Sequence, residues 1–154
     1  MTVKDSLSTD LKEAMRQGDV LRRSVIRMLS AEIHNQEIED KKELDDEAVI
    51  RVLTKQAKQR RESIESFGIG GRDDLVQKEK QELNIILNYL PEQMDTDAIT
   101  KMVQESIDEA GVTDVKNIGM VMRIVMPKVK GKADGRQVQK IASQLLQDQD
   151  MDNS

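Results

Sequence analysis

The feature that most constrains this chain is the spacing of its apolar residues, which recur every three or four positions along almost its whole length. Val3, Leu7, Leu11 and Met15 show the pattern in the first predicted helix. Such spacing places apolar side chains on one face of an α-helix, and no alternating apolar and polar run indicates a β-strand. Helices can bury these faces only against other helices. The sequence therefore predicts an all-α protein, with about four N-terminal helices followed by three C-terminal helices.

Residues that begin and end helices divide the chain into two parts. Gly18 is suited to end the first helix and Asp19 to cap the second. Pro91 closes the fourth helix, and Asp95 caps the fifth. We therefore predict an N-terminal helical domain over residues 1–91, a C-terminal three-helix domain over residues 95–147 and a flexible polar tail over residues 148–154.

Two connections complete this prediction. Residues 37–47 are mostly charged and are predicted to join the second and third helices, with Asp45 or Asp46 starting the third. In the C-terminal part, we predict a sixth helix over residues 114–129, a loop over residues 130–133 and a last helix capped by Asp134.

Composition excludes several classes of function. The chain has 154 residues with no cysteine, one histidine and two aromatic residues. Thiolate metal sites, iron–sulfur clusters and cysteine nucleophiles are therefore excluded, and His34 with Glu37 lacks a third and fourth metal ligand. We expect no metal and no cofactor. Two aromatic residues cannot form a broad platform for stacked bases.

The same sequence indicates a location. No apolar run approaches the ~18–20 residues that a membrane-spanning helix needs. Residues 1–5 (Met-Thr-Val-Lys-Asp) do not resemble a secretory signal peptide. Together with the absence of cysteine, these features lead us to expect a cytoplasmic protein that does not associate with membranes.

Charge is unevenly distributed although the net charge is −5. Residues 116–140 contain seven basic residues and one acid, a local net charge of +6. Residues 51–61 contain five basic residues and no acid, whereas residues 32–47 have a net charge of −6. A basic segment can bind phosphates or can simply be a solvated surface that pairs with acidic helices. For residues 51–61 we favour a solvated surface, and for residues 116–140 both interpretations remain open.

Four sequence motifs resemble those of one protein family, the YqeY-like proteins. The first is Leu-Arg-Arg-Ser-Val-Ile-Arg-Met at residues 21–28, and the second is Leu-Pro-Glu-Gln at residues 90–93. The third is Asn-Ile-Gly-Met-Val-Met at residues 117–122, and the fourth, the most specific, runs from Met126 to Arg136. The resemblance covers about residues 2–147. Met120 departs from the family, which often has lysine at that position, and this removes one candidate phosphate contact.

The resemblance implies an all-helical protein whose C-terminal part is similar to the tail domain of the B subunit of the tRNA-dependent amidotransferase. In that enzyme the tail contacts the tRNA body. Family members are often described as carbon–nitrogen ligases with glutamine as amido-N-donor. Candidate partners are therefore tRNA and an amidotransferase or synthetase subunit.

The residues themselves show no catalytic machinery. Glutamine hydrolysis needs an activated nucleophile, and the chain has neither a cysteine nor a Gly-x-Ser-x-Gly elbow. The glycines of residues 68–71 do not form a phosphate-binding loop of the Gly-x-x-x-x-Gly-Lys-Ser/Thr type. We therefore identify no catalytic residue, and whether the protein takes part in an enzymatic reaction stays open.

Our first hypothesis is a non-catalytic module that binds the backbone of tRNA through residues 116–140. Free backbone N–H groups at the start of the last helix would assist an anion there. The expected main contacts are Lys128, Lys130, Lys132 and Arg136, the secondary contacts are Lys116, Arg123 and Lys140, and Gly131 and Gly135 would allow close approach of the backbone. The alternatives are a protein–protein adaptor that uses the N-terminal domain, or an accessory subunit of an amidotransferase.

Overall fold

The computed structural model describes residues 1–152 and contains helices joined by short connections, with no β-strand in that range. The all-α prediction is confirmed. The seven α-helices within residues 1–152 are α1 (Val3–Gln17), α2 (Val20–Asp40), α3 (Asp46–Ile69), α4 (Asp73–Leu87), α5 (Thr96–Ala110), α6 (Ile118–Val129) and α7 (Gly135–Asp152). A single 3₁₀ turn, Val115–Asn117, precedes α6. The contacts divide the chain into two compact units, with the first at Met1–Pro91 and the second beginning at Glu92.

The predicted helix ends are set by local hydrogen bonds. The Thr2 hydroxyl accepts a hydrogen bond from the N–H of Asp5, and the Asp5 carboxylate accepts one from the N–H of Thr2, which forms a capping box. Asp19 and Asp95 cap α2 and α5, where each carboxylate accepts one hydrogen bond from the N–H three residues later. Gly18 ends α1 in the left-handed conformation, with φ of 69°.

In the N-terminal unit, α3 and α4 form a helical hairpin on which α1 and α2 pack. Its core is almost entirely aliphatic, as expected for helices that bury one apolar face each. The buried residues of this core cluster are Leu7, Val25, Ile26, Leu29, Ile33, Leu44, Val49, Leu53, Ala57 and Ile86.

The connection predicted over residues 37–47 is wrong at its start, because α2 continues to Asp40. Lys41 then ends the helix in the left-handed conformation, with φ of 57°. Glu37 is held inside α2 because its Oε2 accepts a hydrogen bond of 2.8 Å from the N–H of Leu44 and pairs with the ammonium of Lys4. These two contacts keep the pKa of Glu37 below its usual value. One acid of the charged run, Glu37, thus has partners outside the helix, and this favours continuation of α2 through it.

In the C-terminal unit, α5, α6 and α7 pack against one another, and α7 also contacts the 3₁₀ turn. The sixth helix therefore starts later than predicted, after this turn. The last helix ends later than predicted, since α7 includes residues 148–152 of the segment expected to be a tail; residues 153 and 154 lie outside the described residues. The core of this unit comprises Ile99, Val103, Ile107, Val112, Val121, Val125, Val129, Val138, Ala142 and Leu146.

Candidate nucleic-acid interface

The basic residues predicted to contact phosphates lie where α6 ends and α7 begins. Lys128 is in the last turn of α6, and Lys130 directly follows that helix. Lys132 lies in the loop, and Arg136 is in the first turn of α7. All four side chains are on exposed residues. The junction therefore presents four basic side chains within nine residues of chain.

Hydrogen bonds fix the backbone of this loop. The N–H of Lys132 donates to the carbonyl of Val129 at 2.8 Å, and the carbonyl of Lys132 accepts from the N–H of Met94 at 2.8 Å. The side-chain amide of Gln93 donates to the carbonyl of Gly131 at 2.8 Å. Residues from the start of this unit thus hold the loop in place, and the lysines project from a backbone whose position is defined.

The two glycines of the loop have structural roles. Gly131 is buried and adopts a φ of 76°, a conformation that other residues rarely take. A Cβ at Gly135 would lie 3.3 Å from the terminal methyl of Met126, which is a tight contact. The expected close approach of an RNA backbone at Gly131 is not available, because that residue is covered. At Gly135, the small residue allows α6 and α7 to approach each other.

The start of α7 is already capped by an acid. The Asp134 carboxylate accepts a hydrogen bond of 3.2 Å from the N–H of Arg136, and its carbonyl accepts one from Val138. The prediction that Asp134 caps the last helix is confirmed. The expectation of free N–H groups for an anion is wrong at Arg136, because a carboxylate occupies that position. A phosphate contact of Arg136 must therefore come from its side chain.

One lysine of the site has an acidic partner. Lys128 Nζ lies 2.9 Å from Glu109 Oε2 at the end of α5, and the two side chains are 41% and 60% exposed. An exposed ion pair of this kind contributes little to stability, typically about 0–1 kcal/mol. Glu109 nevertheless reduces the positive potential around Lys128, an effect that the distribution of charge along residues 116–140 did not reveal.

The secondary basic residues are spread more widely. Lys140 lies one turn after Arg136 on α7, so both occupy the same helix face. Lys116 lies in the 3₁₀ turn at the other end of α6, and 12 residues of helix separate it from the loop. At 1.5 Å per residue this is about 18 Å. Arg123 is exposed near the middle of α6. The structure thus groups Lys140 with the main contacts and leaves Lys116 at a distance.

The outward face of α7 was missed by the sequence analysis. It forms an open depression of about 420 Å³, lined by Arg136, Gln139, Lys140, Ser143, Gln144 and Gln147. Apart from two cations, these side chains are uncharged and polar, so a search for charge clusters and catalytic motifs does not find them. The depression continues the basic junction along α7.

The N-terminal unit contains a separate polar cluster. The Tyr89 hydroxyl donates a hydrogen bond of 2.5 Å to the Asp10 carboxylate, whose other oxygen lies 3.5 Å from the guanidinium of Arg22. Burial, together with the hydrogen bond to Asp10 and its charge, raises the pKa of Tyr89. Tyr89 therefore stays protonated at neutral pH, as a donor to Asp10 requires. The cluster joins α1 and α2 to the residues after α4 and has a structural role.

Neither a membrane-spanning helix nor a metal cluster occurs in the part of the chain that the structure describes. No helix there combines the length and the apolar character that crossing a bilayer requires. The acids and the histidine of residues 1–152 form no group of three or more that could hold an ion.

Comparisons with known proteins show that the chain is similar to several fungal proteins. It is 42% identical over 89 residues to altered inheritance of mitochondria protein 41, mitochondrial, of Candida glabrata, a match covering 56% of this chain and 49% of the relative. The protein of that name from Eremothecium gossypii is 46% identical over 85 residues, covering 54% of this chain and 46% of the relative. The chain thus spans about half the length of these two relatives. The one from Pyrenophora tritici-repentis is 34% identical over 132 residues, covering 82% of this chain and 71% of the relative.

These names correct one expectation and the family comparison supports another. A cytoplasmic location is wrong as an inference from composition, because the matching relatives are named as mitochondrial proteins. Absence of cysteine therefore did not identify the compartment. The family described as Yqey-like protein matches residues 4–146, which is nearly the whole chain. The chain belongs to the YqeY-like family.

Proposed function

We propose that the C-terminal unit is a non-catalytic module that binds the sugar–phosphate backbone of folded RNA, with tRNA as the RNA class. The observation that carries the proposal is the junction of α6 and α7, where exposed Lys128, Lys130, Lys132 and Arg136 project from a backbone held by hydrogen bonds. Cations on a held backbone can contact phosphates with less loss of conformational freedom than cations on a mobile tail.

Backbone recognition suits this chain better than base recognition. The chain has one tyrosine and one phenylalanine, and both lie in the N-terminal unit. Single-stranded nucleic acids are usually bound by stacking of bases on aromatic side chains. The C-terminal unit has no such side chain, so charge and shape are the means it has to bind RNA. We choose tRNA among folded RNAs because the family resemblance implies a C-terminal part similar to the amidotransferase tail domain.

The test is binding of total tRNA to the purified full chain at low and at physiological salt. Replacing Lys128, Lys130 and Lys132 with alanine removes three candidate phosphate contacts. The slope of log K against log salt should then become shallower by about 1.4–2.7, since Lys130 and Lys132 each contribute roughly 0.7–0.9 and Lys128, which pairs with Glu109, contributes at most that amount. The affinity of this variant for tRNA at low salt should also be lower than that of the unchanged chain.

A matched variant in the N-terminal unit controls for net charge. Arg51, Lys55 and Lys58 are exposed residues of α3, and their replacement with alanine also removes three positive charges. This variant should keep the affinity and the salt slope of the unchanged protein. An unchanged slope in the Lys128, Lys130 and Lys132 variant, or an equal loss in the α3 variant, would contradict the proposed site.

The association with an amidotransferase or synthetase subunit stays a prediction, and so does an adaptor role for the N-terminal unit. Large apolar side chains exposed on that unit would serve such a role: Val20 is 60% exposed, Ile38 63% and Ile69 84%. A protein partner of the N-terminal unit is compatible with RNA binding by the C-terminal unit.

A further inference from the structure

The outward face of α7 has an unusual composition for an exposed helix. Residues 135–147 contain no aspartate or glutamate, although the chain has 29 acidic residues among 154. The buried side of the helix is formed by Val138, Ala142 and Leu146. The opposite side carries amides and a hydroxyl beside the two cations Arg136 and Lys140. Residues 135–147 of this face therefore carry no negative charge, and the nearest acids on α7 lie at its far end: Asp148, which accepts a hydrogen bond of 3.0 Å from Gln144, and Asp150.

Three uncharged side chains form a row along this face. Gln139, Ser143 and Gln147 follow one another at intervals of four residues, which places them on one side of the helix. The row is about 12 Å long at 1.5 Å per residue. All three side chains line the open depression of about 420 Å³. Arg136 and Lys140 lie at the end of the row that is nearer to the basic loop.

The polar groups of this row are available to a ligand. Within residues 1–152, the structure gives the side chains of Gln139, Ser143 and Gln147 no hydrogen-bond partner. Two other helical hydroxyls in this unit, those of Thr100 and Ser106, donate to the carbonyl four residues earlier. Each amide can donate and accept, and so can the serine hydroxyl. The row therefore offers both kinds of group without offering a charge.

We propose that this row contacts the ribose hydroxyls in the shallow minor groove of an A-form RNA helix. The 2′-hydroxyl both donates and accepts a hydrogen bond, which the amides and the serine can match. Arg136 and Lys140 attract the phosphates at the edge of the groove, because the nearest acids of α7, Asp148 and Asp150, lie at the opposite end of the row. This inference rests on the proposed function and deepens it: the protein distinguishes RNA from DNA through α7.

The consequence is a preference for RNA duplex over DNA duplex of the same sequence. DNA lacks the 2′-hydroxyl, and its groove shape differs. Two labelled probes of about 20 base pairs suffice, since a double-stranded RNA-binding domain spans roughly 16. Fluorescence anisotropy with the full chain gives both affinities. Each hydrogen bond corresponds to roughly a fivefold change in affinity, so RNA should bind about tenfold more tightly or better.

The discriminating variant combines Gln139→Ala, Ser143→Ala and Gln147→Ala. These changes remove no charge, so the salt slope should stay unchanged while the preference for RNA falls toward equal binding. The control replaces the same residue types at exposed positions of the N-terminal unit, with Ser30→Ala, Gln59→Ala and Gln77→Ala. The control should keep the preference. Circular dichroism checks that both variants are folded.

The possible failures are distinct. Equal binding of RNA and DNA by the unchanged protein, or a preference that persists in the α7 variant, overturns this inference and leaves backbone binding in place. If neither probe nor tRNA binds even at low salt, the proposed function is wrong, and this inference falls with it.

Discussion

The ion pair between Lys128 and Glu109 predicts a variant that binds RNA more tightly. Lys128 Nζ lies 2.9 Å from Glu109 Oε2, and both side chains are substantially exposed. The carboxylate neutralises the lysine locally, and it also repels a phosphate that approaches the α6–α7 junction. Glu109→Gln removes this negative charge and keeps the size of the side chain. It should therefore increase the affinity for tRNA.

The size of the effect follows from the exposure of the pair. An exposed ion pair is worth at most about 1 kcal/mol, which limits the gain to about fivefold at low salt. A lysine that becomes available to a phosphate steepens the plot of log K against log salt by roughly 0.7–0.9. Between about 50 and 200 mM salt, this slope reduces the gain about threefold. The expected gain is thus about fivefold at the lower salt concentration and under twofold at the higher one.

Anisotropy titrations of labelled tRNA with four proteins measure these quantities: the unchanged chain, Glu109→Gln, Lys128→Gln and the double variant. The double variant removes one charge of each sign, so its affinity should return close to that of the unchanged chain. Glu62→Gln removes an exposed acid from the N-terminal unit and controls for net charge. If Glu109→Gln leaves both affinity and salt slope unchanged, or if Glu62→Gln gives the same gain, Lys128 is not a phosphate contact.

Two further predictions concern stability, measured by chemical denaturation. Gly131→Ala should destabilise the C-terminal unit by about 1–2 kcal/mol, because the φ of 76° at this position is unfavourable for alanine. The control is Gly119→Ala in α6, where no atom lies near the added methyl group, and it should be neutral or stabilising. Burial and the nearby Glu82 raise the pKa of Glu79, which shares the guanidinium of Arg60 with Glu82. Because a raised pKa in the folded state favours folding at low pH, the unchanged chain should gain stability relative to Glu79→Gln as the pH falls from 7 toward 4. A difference in unfolding free energy that stays constant over this range would refute the prediction.

Helix ends that carry a capping residue were predictable because neighbouring residues determine them. Asp19 and Asp95 were assigned as caps from sequence, and each side chain accepts a hydrogen bond from the N–H three residues later. Gly18 ends α1 with φ of 69°, as its position after a helical run predicts. These contacts need no knowledge of the rest of the chain.

The exact buried face was less predictable. Met15 was assigned to the apolar face of α1, but it is 51% exposed, whereas Ala14 is completely buried. Steps of four residues rotate by about 40° each around a helix, so Met15 lies about 120° from Val3. Ala14 lies only about 20° from Val3 by the same geometry. Following the large residues alone therefore led away from the side that packs on the core.

The sequence could predict which segment carries the basic residues of the candidate site, but not which other side chains lie beside them in the folded unit. Lys128, Lys130 and Lys132 are close in sequence, so their proximity could be foreseen. Glu109 is 19 residues from Lys128, and Gln93 is 38 residues from Gly131. Such partners depend on how α5 packs against α6, which the periodicity of either helix leaves undetermined. The pairing of Glu109 with Lys128 and the burial of Gly131 could be found only in the folded unit.

The uncharged row on α7 and the basic loop are expected to affect different measured quantities, so the two proposals can be tested separately. Phosphate contacts by lysines release counterions, so they appear in the salt slope. Hydrogen bonds from Gln139, Ser143 and Gln147 involve no charge, so they appear in the ratio of RNA to DNA affinity and leave that slope unchanged. If these side chains are only solvated surface, replacing them should change neither the salt slope nor the ratio of RNA to DNA affinity. A variant of the lysines and a variant of the α7 row that change different quantities would therefore show that the C-terminal unit recognises RNA by two physically distinct means.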